Sequence, residues 1–184
     1  MPISAAIRRV PIAPSRIRFL ALLVGLGVFV VSLQCYLAER YRIGFTTGDV
    51  QSLPGDPRLF VVDTFDRELV RGRVVAFRVQ GVELVLRDGQ LVAKILDGLP
   101  GDEVSVREAA TTVNGEVRTT GYGAARYLQE AYPEAGIDLA RYDRDFVVPE
   151  GKVFVLGRTE LSFDNRYFPP IDADAIVGRV HRLW

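Results

Sequence analysis

Lys94 and Lys152 are the only lysines in a chain that otherwise takes its positive charge from arginine. Lys94 lies inside the apolar run Leu91-Val92-Ala93-Lys94-Ile95-Leu96. Arginine stays protonated in proteins, whereas a lysine moved into apolar surroundings can lose its proton near neutral pH and act as a base. An unperturbed lysine titrates near 10.4, and desolvation can lower that by up to about 3–5 units. Strand alternation puts Val92, Lys94 and Leu96 on one face, so Lys94 has apolar neighbours. An edge-strand lysine whose ammonium snorkels to water fits the same run. A lysine base needs a nucleophile, and beyond residue 37 the chain offers three serines, Ser52, Ser105 and Ser162. Ser105, in the alternating Glu103-Val104-Ser105-Val106-Arg107, reads as a strand-face hydroxyl. Ser52 precedes Leu53-Pro54-Gly55, where proline removes a backbone donor and biases its neighbour toward extended geometry. A constrained nucleophilic hydroxyl and an ordinary turn both fit that segment.

Other chemistries have little support. The one cysteine, Cys35, falls in an apolar segment, and the one histidine, His181, lies close to the C-terminus. Thiol catalysis, disulfides, a His/Cys zinc site and a Ser-His-Asp triad are therefore not expected, and no cofactor or metal is implied. His181 and the pair Asp172 and Asp174 read as terminal packing and a solvated turn. Charge balances at 23 bases and 23 acids. Without a basic stripe, a nucleic-acid partner is not expected.

The elements that must position these residues follow from patterning. Phe19 to Leu37 carries no charge and is long enough to cross roughly 30 Å of hydrocarbon as a helix. Arg8, Arg9, Arg16 and Arg18 precede it with no acid among them, so residues 1–18 are expected to be cytoplasmic and 19–37 a retained transmembrane helix. Residues 38–50 read as a juxtamembrane connection and 51–184 as one extracytoplasmic domain. Strands are predicted at Arg58 to Asp63, Arg73 to Val79, Glu83 to Arg87, Leu91 to Leu96, Glu103 to Arg107, Val147 to Val148, Lys152 to Leu156 and Ile176 to His181. Asp88-Gly89 signals a two-residue hairpin turn. Gly123 to Tyr132 reads as a short helix stopped by Pro133, within an insert spanning 115–144. The expected fold is mostly β: a single domain with one or two short helices behind one N-terminal membrane helix.

In order and spacing, Gln51-Ser52-Leu53-Pro54, Arg73-Val74-Val75-Ala76-Phe77, Ala93-Lys94 through Gly98-Leu99-Pro100-Gly101-Asp102, and Val148 to Val180 with Ser162-Phe163-Asp164-Asn165-Arg166 resemble the type I signal peptidase family. These are membrane-bound serine proteases with a serine/lysine dyad, and the resemblance implies a signal-peptidase-like β domain. It implies Ser52 as nucleophile, Lys94 as general base and Ser162 as the hydroxyl that orients Lys94. It also implies an Asp164–Arg166 ion pair fixing the loop; by residue type alone both would be solvated loop charges. The family's nucleophile box normally reads serine-methionine-x-proline. The form Ser52-Leu53-Pro54 is similar to the branch that processes pilin precursors in conjugative transfer, some members of which close the pilin into a ring. Val50 replaces a hydroxyl that contributes to the family's oxyanion hole. That hole is then expected to use the Ser52 backbone N–H with Thr46 or Thr47, or to be weaker. The final box, commonly opening Gly-Asp-Asn, here reads Gly157-Arg158-Thr159-Glu160.

The function so implied is serine endopeptidase action on a membrane-inserted pilin or preprotein at a bacterial inner membrane, with the lipid bilayer as the second partner. General removal of secretory signal peptides is the first alternative. A non-catalytic peptidase-like subunit of an envelope secretion or pilus assembly is the second.

Overall fold

The computed structural model describes residues 14–45, 52–53, 55, 59–81 and 86–183, in two units that divide between Glu39 and Arg40. The first unit holds most of helix α1 (Pro14–Arg40), whose side chains from Leu20 to Leu37 are largely apolar and exposed. It is the one described helix long and apolar enough to cross a membrane. It extends the predicted span at both ends.

The second unit contains two antiparallel sheets. The larger orders its strands β1-β2-β11-β3-β4-β9-β10, namely Tyr41–Phe45, Leu59–Asp63, Ile176–Arg182, Val74–Arg78, Leu91–Gly98, Lys152–Leu156 and Ile171–Asp172. The smaller orders β7-β6-β5-β8, namely Glu116–Thr119, Thr111–Val113, Glu103–Val106 and Arg144–Val147. Helix α2 covers Gly123–Ala131 and ends before Pro133, whose ring cannot continue the ladder.

Strand β9 joins the two sheets' cores. Its sequence Lys-Val-Phe-Val-Leu has no polar face, because Phe154 and Leu156 pack with Val104, Val106, Val113, Tyr122 and Ala125, while Val153 and Val155 pack with Val75, Phe77, Leu96 and Ile176. All four apolar residues of β9 from Val153 to Leu156 are fully buried. A strand buried on both faces reads as a continuous apolar run. Strand β4 is interior too, hydrogen-bonded to β3 on one side and β9 on the other. Lys94, opposite Val75 of β3, is therefore not an edge-strand residue.

At the end of β4 the chain turns through Gly98-Leu99-Pro100-Gly101-Asp102. The Asp102 carboxylate accepts hydrogen bonds from the Leu99 N–H, the Asn114 amide (2.7 Å) and the Arg71 guanidinium (2.7 and 2.9 Å). Burial by itself would raise the Asp102 pKa, but these donors together hold it below the usual carboxylate value.

Three expectations change. Tyr41–Phe45, within the stretch read as a connection, is the edge strand β1, paired with β2 over all five residues. Its exposed Ile43 and Phe45 flank Gly44 without the alternation of burial that marks a strand. Asp88-Gly89 makes a turn, but inside the β3–β4 connection, where Gly89 donates to Val79. Leu86 and Arg87 are not strand, Glu83 to Val85 lie outside the described residues, and β4 pairs with β3 instead. The short strands β6 and β7 carried no usable apolar pattern.

Strand β11 crosses β2 closely enough that a Cβ on Gly178 would lie 2.1 Å from the Asp63 carbonyl oxygen and 2.8 Å from the Thr64 Cα. Both obstacles are backbone, so they cannot swing aside. Gly178→Ala is expected to lower the unfolding free energy by about 2 kcal/mol or more in chemical denaturation.

Candidate active site

Two serine side chains from distant parts of the sequence meet at Lys94. Its Nζ lies 2.7 Å from Ser52 Oγ and 2.7 Å from Ser162 Oγ. Lys94 is 5% exposed and Ser162 is fully buried, while Ser52 is partly exposed. The amine is thus buried on the Ser162 side, and Ser52 is the more exposed of its two partners. Burial lowers the Lys94 pKa from 10.5 to about 8; the Asp164 carboxylate pulls it up and the Arg166 guanidinium pushes it down. Near neutral pH a usable fraction of the amine is therefore unprotonated.

The Ser162 hydroxyl is held by a loop that the fold secures on every side. Arg166 is fully buried, and every N–H of its guanidinium has a partner. Nε and Nη2 donate to Asp164 at 2.9 Å each, Nη2 also to the carbonyls of Thr159 and Ser162, and Nη1 to those of Thr120 and Gly121. Asp164, equally buried, also accepts the Gly157 and Arg166 N–H groups. Neither residue is a solvated loop charge. Burial lowers the Arg166 pKa, but the bond and charge of Asp164 outweigh it and leave it raised. Buried Asn165 ties the loop to β9 and to Pro169.

The 115–144 insert supplies the loop's outer support. Arg144 donates to the carbonyls of Asn165, Arg166 and Phe168, and the Ala124 N–H donates to Glu160. Tyr122 is fully buried, bonds Asp143 and meets the rings of Tyr142 and Tyr167.

Gly157 lies between the two serines. A Cβ there would lie 2.0 Å from Ser162 Oγ and 2.9 Å from the Ser52 carbonyl oxygen, so only glycine lets them approach across this point. The next residue, Arg158, donates its N–H to that same Ser52 carbonyl at 2.9 Å.

Lys94, Ser52, Ser162, Asp164 and Arg166 are thus brought together as one cluster. Thr46, Thr47 and Val50, the residues bearing on the oxyanion donors, lie outside the described residues. Ser105 lies apart on β5, opposite Asp145 of β8. Asp172 pairs with Lys152 at 2.6 Å, and His181 is exposed on β11. Among the described residues no three His, Cys, Asp or Glu side chains converge as a metal site. Sequence reading missed Arg144, Asn165, Asp97 and the positive role of Arg158. Asp97 had a signal, an acid closing an apolar strand beside the Gly98 turn; Arg144 had none.

The depressed Lys94 pKa also has a stability consequence. Between pH 8 and 10.5 the unfolded chain holds a proton on Lys94 that the folded chain has released, so this residue's contribution to stability rises with pH through that window. Lys94→Met removes the penalty at every pH. Its effect on unfolding free energy relative to wild type is therefore expected to become less favourable by roughly 3 kcal/mol between pH 8 and 10.5. Paired denaturant titrations across that range measure it.

The model of the family described as "Signal peptidase, peptidase S26" matches residues 16–184. Signal peptidase IB of Staphylococcus aureus (strain N315) is 30% identical over 125 residues, 63% of this chain and 61% of that protein. Signal peptidase I of Bacillus licheniformis is 32% identical over 145 residues, 76% of this chain and 72% of that protein. The chain thus spans 61% of the length of the staphylococcal relatives it matches. The crystal structure of a signal peptidase I from Enterococcus faecalis V583 is 29% identical, covering 62% of this chain and 97% of that one, with a TM-score of 0.38. With the family model running across both serines, the buried lysine and the loop that secures them, the chain belongs to the signal peptidase family, peptidase S26.

Proposed function

We propose that the protein is a membrane-anchored serine endopeptidase in which Ser52 is the nucleophile and Lys94 the general base. The observation that carries this is the 2.7 Å separation of Lys94 Nζ from Ser52 Oγ, with the amine buried and its pKa lowered to about 8. A neutral amine has two N–H donors and one lone pair. Donation to Ser162 turns the lone pair toward the Ser52 O–H, which is how Ser162 orients the base.

Lys94 takes the Ser52 proton as Oγ attacks a peptide carbonyl carbon. The resulting oxyanion is met by the Ser52 N–H and a second donor, for which Thr46 and Thr47 are the candidates. The Lys94 ammonium returns the proton to the departing amine as the C–N bond breaks, leaving an ester on Ser52. Water, deprotonated by the same amine, then releases the acid. If the substrate's own amino terminus attacks the ester instead, the product is a ring. Asp164 and Arg166 act on the loop rather than on substrate.

The apolar helix α1 serves as a single anchor, with residues 1–18 cytoplasmic and the β domain outside the inner membrane; the arginines before the span support this orientation. Confinement to one plane with a membrane-inserted precursor raises the effective concentration of the pair. The serine-x-proline form at Ser52-Leu53-Pro54 supports a pilin precursor as substrate. The relatives named signal peptidase support general preprotein processing equally.

Ser52→Ala and Lys94→Ala are each expected to abolish processing while leaving the fold intact, and Lys94→Arg, which keeps the charge but cannot supply the base, to do the same. The rate in the wild type should rise with pH through a midpoint near 8, as the amine loses its proton. Processing by Lys94→Arg at the wild-type rate would refute the assignment of the base. Incubation with a pilin precursor and with a secretory precursor, followed by mass measurement, separates the substrates and outcomes: hydrolysis adds one water across the products, and ring closure of the trimmed segment does not. A folded protein inert to a serine-acylating probe would point instead to the non-catalytic subunit.

A further inference from the structure

Lys94 is not the only link between β4 and the Ser52 segment. Three residues further along the same strand, Asp97 sits where the β4–β9 register shifts between Leu96, opposite Val155, and Gly98, opposite Phe154. Its side chain is 1% exposed. A carboxylate so buried is costly unless it is paired and hydrogen-bonded. Arg158 supplies a two-pronged partner, with Nη1 2.5 Å from Oδ2 and Nη2 2.9 Å from Oδ1. Arg118 Nε stands 3.9 Å from Oδ1, and Arg71 reaches the Asp97 carbonyl.

Arg158 makes a second connection through its main chain, donating its N–H to the Ser52 carbonyl at 2.9 Å. One residue therefore grips, by its side chain, the strand that carries Lys94 and, by its backbone, the residue that carries the hydroxyl. Resting on the reading of Ser52 and Lys94 given above, we propose that the Asp97–Arg158 pair is a positioning device that sets the separation between base and nucleophile. The Lys94–Ser52 hydrogen bond must break and re-form as the proton moves and the ester forms. The link through Asp97, Arg158 and the Ser52 carbonyl exchanges no proton, so it holds Ser52 in place throughout. The planar fork of arginine suits the task, since two parallel bonds to one carboxylate fix direction as well as distance.

The test uses the full chain in detergent with Asp97→Asn, Arg158→Gln, Arg158→Lys and the Asp97→Asn/Arg158→Gln double variant. Hydrogen exchange of the residue-158 amide reports on the grip whether or not the protein is active. In Asp97→Asn its protection is expected to fall at least about tenfold. The turnover number should fall at least about tenfold with KM within twofold, because misplacing a nucleophile slows chemistry rather than binding. The pH midpoint should stay near 8, since it is set first by the burial of Lys94 and then by the opposed charges of Asp164 and Arg166, none of which these substitutions change. The double variant should be no slower than the slower single one, as two halves of one device should be. Arg158→Lys, which keeps charge without the fork, should lie between wild type and Arg158→Gln.

Unchanged amide protection with turnover within twofold of wild type, losses that multiply in the double variant, or a shifted pH midpoint would each overturn the proposal. If Asp97→Asn does not fold, Arg158→Lys decides it, because it keeps a cation beside the buried Asp97 carboxylate while removing the fork. A wild-type protein that neither cleaves nor acylates would overturn the proposed function, while the residue-158 amide would still show whether the grip exists.

Discussion

A lysine that is only 5% exposed is the constraint around which this domain is organised. Desolvation disfavours its charged form, and that is what brings the pKa to about 8. A buried amine still needs partners, and two serine hydroxyls at 2.7 Å provide them. Had the chain left Lys94 on an edge strand, water would have solvated it and its pKa would have stayed in the ordinary lysine range. Interior placement between β3 and β9 removes that escape.

The charges nearby follow from the same constraint. An unbalanced Asp164 would draw the proton back onto Lys94, and an unbalanced Arg166 would be an uncompensated buried cation. Paired, they offset each other's effect on the amine, while Arg166 spends its remaining donors on four carbonyls of the surrounding loops. A fully satisfied buried network of this kind rigidifies its surroundings, whereas a half-satisfied one is costly. The 115–144 insert belongs to this network: through Arg144 and the start of α2 it closes the loop from outside.

Departures from the family's usual boxes take on meaning in three dimensions. Arg158, which stands where an acid is common, faces an acid on β4, so the contact between the two segments carries opposite charges. Gly157 is retained because neither serine leaves room for a side chain. Ser52 lies against Lys94 through its hydroxyl and against Arg158 through its carbonyl.

Much was legible in the chain itself. The rarity of lysine drew attention to Lys94 and left three candidate serines, and the order and spacing of the segments from Gln51 to Val180 carried the family resemblance that chose Ser52 and Ser162. The apolar runs of β3, β4 and β9 were readable because those strands are buried, which demands apolar residues on one or both faces. Strands β1, β6 and β7 were not readable. They are short or at an edge, and their hydrogen bonds depend on a neighbouring strand rather than on their own composition. Residue type likewise could not distinguish solvated charges from a buried pair at Asp164 and Arg166, nor a snorkelling lysine from a buried one at position 94. Desolvation decides both, and it is a property of what surrounds a residue. The sequence by itself determined which groups were available for chemistry; the tertiary structure alone decided which of them are denied water and therefore paired.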